Sequence, residues 1–175
     1  MSTDDITQTE FVNQALASVS EMDGKYLTFW TDKQLFGIPI SDVVQIVGMQ
    51  EVTKLPNFPA YIKGIINLRG IIIPLIDVRL RLNKPETVYT ERTCIIVTSI
   101  REKEIGFIVD TVNEVTAIDK GQIVPPPSVS GDGQNAYLTG VANQEDKVVL
   151  LMDAAKLLSD DIVDSLIKNG GNKNV

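Results

Sequence analysis

The sequence predicts a mainly β protein built as two related lobes, and three observations carry that reading. Short apolar segments bounded by Gly, Pro or Asn recur along the chain. Sustained helical periodicity is scarce between them. Two blocks of the first half also return in the second half, in the same order.

Residues 1–23 are polar and acidic, with Phe11, Val12, Leu16 and Val19 at loosely helical spacing that suits a short docked helix or only a nascent one. Tyr26 to Thr31 is rich in aromatic and β-branched residues and reads as a strand. Asp32-Lys33-Gln34 reads as a turn. Leu35 to Ile40 resumes the extended pattern, with Pro39 favouring a sheet edge or a bulge. Further strands are expected at Gly64–Asn67, Ile71–Ile76, Cys94–Ile100, Ile105–Val112 and Val148–Met152. One short helix is expected from Ser159 to Lys168, with Ile162, Val163, Leu166 and Ile167 on one face. Ser159 suits its cap, Asp160 and Asp161 its positive end, Lys168 its negative end and Gly170 its stop.

The repeat gives the architecture. Gly37, Ile40, Val43, Ile46, Leu55 and Pro56 return as Gly106, Val109, Val112, Val115, Val124 and Pro125, shifted by 69. Gly64, Ile65, Asn67, Ile72, Ile73, Leu75, Ile76 and Asp77 return as Gly140, Val141, Asn143, Val148, Val149, Leu151, Met152 and Asp153, shifted by 76. The second copy therefore carries seven extra residues, visible in the Pro-, Gly- and Ser-rich run from Pro125 to Gly133. A mobile loop, dispensable for folding, is expected from Pro125 to Ala136.

Composition narrows the function. The chain has 175 residues, 43% hydrophobic and 22% charged, enough for one packed domain or two small lobes. Its net charge of −7 opposes binding to nucleic-acid phosphates, and Arg79, Arg81 and Lys84 are too few for a phosphate track. Cys94, the single cysteine, lies in an apolar run and reads as a core thiol in a reducing compartment. The acidic start lacks the features of a signal peptide, and the longest apolar stretches fall short of the ~20 residues of a membrane span. A cytoplasmic protein is expected, with no direct membrane insertion.

Histidine is absent, which removes Ser-His and Cys-His nucleophiles, His-based zinc sites and any phospho-accepting histidine. Asp77 and Asp153 follow apolar strands at equivalent repeat positions, which favours a turn or cap role over catalysis. Asp110 and Glu114 fit a solvated strand face. Gly131 to Ala136 matches the G-x-G-x-x-A dinucleotide fingerprint, but three prolines precede it and no helical period follows, so it is read as a loop. No enzyme activity, cofactor or metal is expected.

The most unusual stretch runs from Leu55 to Gly70. Pro56 and Pro59 stiffen an approach loop, Ile62 to Ile66 enter a strand, and Asn67-Leu68-Arg69-Gly70 forms a tight turn into Ile71-Ile72-Ile73. Arg69 on such a turn is either a solvated residue or a partner anchor, because its planar fork pairs carboxylates while its stem packs on aliphatic neighbours.

This stretch, its continuation from Gly70 to Arg79, the phrase Gly106 to Val112 and Tyr137 to Val141 together resemble the CheW family of chemotaxis coupling proteins, over about Tyr26 to Leu158. The resemblance implies two SH3-like barrels of about five strands each, interleaved so that the opening strands of the first half close with the final strands of the second. The expected organisation is an acidic segment at 1–23, a CheW-like domain at 24–168 and a flexible tail at 169–175. One lobe would comprise about 24–60 plus 137–158, the other about 61–136.

The function so implied is that of a non-enzymatic adaptor. Its partners would be the regulatory domain of a CheA-type histidine kinase and the cytoplasmic signalling tip of chemoreceptors. Partner-binding roles would fall on Val43, Gln45 and Ile46, and on Gly64, Ile66, Asn67, Arg69 and Gly70. Relatives often carry glutamate where this chain has Gln45, which puts a charged contact there in question. The alternatives are a same-fold coupling protein of another array, such as one for pilus motility, or a small-ligand-binding β-barrel. The latter needs a polar-lined cavity where Ile, Val and Leu are expected to fill the lobes.

Overall fold

A computed structural model describes residues 24–127 and 136–171. The expected N-terminal helix and most of the inserted loop lie outside the described residues. Eleven strands form among them: β1 Lys25–Thr31, β2 Gln34–Pro39, β3 Val43–Gly48, β4 Ile62–Leu68, β5 Ile71–Asp77, β6 Cys94–Ile100, β7 Lys103–Val109, β8 Thr111–Ala117, β9 Ile123–Val124, β10 Leu138–Gln144 and β11 Lys147–Met152. A one-turn helix α1, Val78–Arg81, follows β5, and helix α2, Asp160–Gly171, ends the described chain.

Four of the connections are two-residue hairpins whose central residues both have positive φ. They are Asp32-Lys33, Arg69-Gly70, Arg101-Glu102 and Glu145-Asp146. Left-handed backbone at both positions matches the right-handed twist of the flanking strands, which sets the register of each hairpin. Gln34, expected in a turn, already belongs to β2.

The strands form two sheets, one in the order β8-β1-β2-β11-β10-β9 and the other in the order β3-β6-β7-β5-β4. The repeat explains this arrangement. Strands β1 and β2 of the first copy occupy in one sheet the places that β6 and β7 of the second copy occupy in the other. The seams are equivalent: Gly37 of β2 lies opposite Leu151 of β11 in parallel, and Gly106 of β7 lies opposite Leu75 of β5 in parallel. Each sheet thus joins an opening hairpin from one copy to later strands from the other. The expected lobe limits are corrected accordingly. β3 pairs with β6 in the second sheet, and β8 and β9 belong to the first.

Each edge strand also feeds the opposite edge of its own sheet. The chain leaving β8 returns as β9 beside β10, and the chain leaving β3 returns at Thr53, which bridges Ile65 of β4. Barrel closure by strand pairing is not seen among the described residues. Pro39 sits at neither an edge nor a bulge. It ends the inner strand β2, beyond the Leu35–Gly37 pairing with β11, where its missing N–H costs no ladder bond to that strand. The expected strand Ile105–Val112 is divided at Asp110, which separates β7 from β8.

Three apolar clusters fill the fold. Leu35, Ile118, Val149 and Leu151 pack within the first sheet, and Ile66, Ile73, Leu75, Ile95 and Val97 within the second. The largest cluster draws on both: Phe29, Phe36 and Ile38 meet Ile62, Ile76, Ile96, Ile105 and Phe107, with Leu157, Val163 and Leu166 joining them. Phe29 and Phe36 face each other across β1 and β2 with ring centroids 5.8 Å apart. Helix α2 presents Val163 and Leu166 to this core, and Ser159 Oγ accepts from the Ile162 amide at 3.2 Å, as the capping pattern predicts. Arg79 of α1 fastens the two sheets polar-side. Its guanidinium donates to both carboxylate oxygens of Asp110 at 2.8 and 2.7 Å, while the Asp32 amide donates to Asp110 at 2.9 Å.

Candidate functional site: the hairpin turn at Arg69 and the edge strand β3

The β4–β5 hairpin gathers five of the eight residues singled out in the sequence. Leu68 pairs with Ile71, so the turn itself is Arg69-Gly70, with φ of 55° and 88°. Asn67, the residue before Leu68, accepts through Oδ1 from the Gly70 amide at 2.8 Å. Asn67, Arg69 and Gly70 are exposed, and Ile71 beside them is 50% exposed. Among the described residues Arg69 has no ion-pair or hydrogen-bond partner. The turn therefore offers a guanidinium with an aliphatic neighbour.

Gly64 and Ile66 belong to the support of this turn and not to its surface. Gly64 is buried at φ 143°, and a Cβ there would stand 2.1 Å from the Thr53 carbonyl oxygen. The glycine lets Thr53 and Ile65 exchange two backbone hydrogen bonds, at 2.9 and 2.8 Å, along the outer edge of β4. Ile66 is 2% exposed in the core of the second sheet.

Strand β3 carries the other three. Val43 and Gln45 are half-buried, whereas Ile46 is 1% exposed and faces the core, so it presents no surface to a partner. The register shifts between Val43 and Gln45, and the extra residue Val44 is turned out to 45% exposure. Sequence reasoning missed Val44, because a bulge breaks the two-residue alternation that would mark an outward position. The two groups do not converge on one point. β3 lies at one edge of its sheet and β4 at the other.

The carboxylates considered for chemistry have structural roles. Asp77 Oδ1 accepts from the Leu80 amide at the start of α1, and Asp153 Oδ1 accepts from the Ala155 amide, both as caps. Asp77 is 2% exposed and takes a second bond from the Tyr89 hydroxyl at 2.7 Å. Burial foremost, and then this bond, push the Tyr89 phenol well above its ordinary pKa. Asp110 is held by Arg79, and Glu114 is exposed. Cys94, the single cysteine, is a buried thiol whose Sγ donates to the Arg92 carbonyl at 3.2 Å. Among the described residues no group of three His, Cys, Asp or Glu side chains could hold a metal ion, and no helix is long and apolar enough to cross a membrane. A polar recess lined by Thr28, Asn113, Thr116 and Gln144 encloses about 20 Å³, room for a water and far below a small-molecule pocket.

Comparison with known proteins places this geometry. Residues 25–161 match the CheW-like domain model, a span that takes in all eleven strands. The chain is 35% identical over 162 residues to chemotaxis protein CheW of Klebsiella aerogenes, covering 88% of this chain and 98% of that one. It is 33% identical to chemotaxis protein CheW of Bacillus subtilis, over 77% of this chain and 86% of that one. The scaffolding protein TtCheW of Thermoanaerobacter tengcongensis superposes with a TM-score of 0.71 at 37% identity, over 77% of this chain and 91% of its own. The chain belongs to the CheW family.

Proposed function

We propose that this chain couples chemoreceptors to a CheA-type histidine kinase, binding the kinase's regulatory domain and the helical signalling tip of the receptors. As a CheW-family protein it is a coupling adaptor of chemotaxis signalling, and the observation that carries the reading is the family match across both sheets. An adaptor needs surfaces and not turnover. The turn at Arg69 and the outward Val44 on β3 supply two separate candidate surfaces at opposite edges of one sheet, which suits a protein that holds two partners at once. The proposed setting is the cytoplasm, where the receptor tip and the kinase meet. A role in another array, such as one for pilus motility, has the weaker support: protein FrzA of Myxococcus xanthus is 28% identical over 83% of this chain.

The test is calorimetric titration of the full chain into the isolated regulatory domain of a CheA-type kinase. A modest protein interface predicts a Kd near the micromolar level, an order of magnitude only. Absence of binding at high concentration would remove the kinase from the proposal.

A further inference from the structure

We infer that Asn67 is the positioning residue of this surface, fixing through its hydrogen bond to the Gly70 amide the turn that presents Arg69 to a partner. The inference rests on the proposed role of Arg69 as a partner contact. A two-residue hairpin turn with both φ positive favours Asn, Asp or Gly at its first position, and here that position holds Arg69 at φ 55°. A long side chain in left-handed backbone is costly, and support from outside the two turn residues offsets that cost. Asn67 gives it, with Oδ1 2.8 Å from the Gly70 nitrogen. The guanidinium itself is unheld, because among the described residues Arg69 has no hydrogen-bond or ion-pair partner.

The repeat offers an internal comparison. Asn143 takes the place of Asn67 in β10, yet among the described residues it bonds no turn amide, and the turn it precedes is Glu145-Asp146. The brace is thus absent from the equivalent hairpin of the second copy. Without it the turn samples other conformations, Arg69 sweeps a wider volume, and binding must first order it.

The experiment titrates the full chain into a mixture of CheA-type kinase and receptor-bearing membranes and reads the concentration giving half-maximal kinase activation. Arg69→Ala is expected to raise that midpoint about tenfold, as for an interface anchor. Asn67→Ala is expected to raise it about threefold, the effect of one lost hydrogen bond. In the Arg69→Ala background, Asn67→Ala should add nothing, because it acts only through the arginine. Melting temperatures should stay close to that of the unaltered chain. If Asn67→Ala does not fold, Asn67→Thr, a good strand residue with a shorter reach, takes its place. A flat response to Arg69→Ala overturns the partner-contact reading and the positioning role with it. An impaired Arg69→Ala beside an unaffected Asn67→Ala overturns the positioning role alone. An equal loss from Asn67→Ala in both backgrounds makes Asn67 a contact in its own right and likewise overturns it.

Discussion

Gly106 and Leu75 lie side by side on the parallel strands β7 and β5, so close that a Cβ on Gly106 would stand 2.7 Å from Leu75 Cδ2 and 2.7 Å from Ile95 Cγ2. This is the seam where the two copies of the repeat exchange strands. The matching seam in the other sheet is looser, since a Cβ on Gly37 would meet Leu151 Cδ2 at 3.0 Å. Gly106→Ala is therefore expected to destabilise the fold by about 1–3 kcal/mol through overpacking, and Gly37→Ala by less. Urea unfolding of both variants checks the order. Equal stabilities would show that the tighter seam relaxes freely.

Tyr89 secures the base of helix α1 through Asp77, which is 2% exposed. Tyr89→Phe leaves one buried carboxylate oxygen without its donor, and should cost about 1–3 kcal/mol. In the native chain the phenol, raised chiefly by burial, should stay protonated in alkali that would ionise an unperturbed phenol. Ultraviolet titration of the native chain against Tyr89→Phe isolates it. A Tyr89 contribution within the ordinary phenol range, before unfolding, would contradict this placement.

Much of the fold is legible in the sequence because its strongest strands bury large side chains. Cys94–Ile100 is read with the bounds it has, since six of its seven residues are buried. β10 is not legible from its local pattern, only from its repeat of Gly64–Asn67. Its buried positions are Gly140 and Ala142, and Gly140 is kept small because Ile123 of β9 would stand 2.5 Å from a Cβ there. The repeat discloses which strands are equivalent but not which copy each pairs with. That choice rests on the shared core of Phe36, Ile38, Ile96 and Phe107, which no local pattern encodes. At the candidate site the turn and its arginine are visible in Asn67 to Gly70. The burial of Ile46 and the exposure of Val44 depend on a bulge that only the pairing with β6 reveals.

Asp42 closes the 3-10 turn Ile40–Asp42, where burial first and the Asp153 carboxylate second hold its carboxyl above the usual range. The folded chain thus binds this proton more tightly than the unfolded chain. The ionised group costs stability above the folded pKa, and the cost vanishes as pH falls below the unfolded value. Asp42→Asn should be more stable than the native chain at neutral pH, with the advantage shrinking in acid. Denaturant melts across that range decide it, and a variant less stable at neutral pH would show that the carboxylate is needed.

The claim that this chain couples receptor to kinase is tested most directly by kinase activity in receptor-bearing membranes with and without it. Adding the chain to CheA-type kinase and receptors should raise phosphoryl transfer on the kinase many-fold. Adding it to the kinase without receptors should leave that rate unchanged. Equal activity with and without the chain, when both partners are present and competent, would contradict the coupling role.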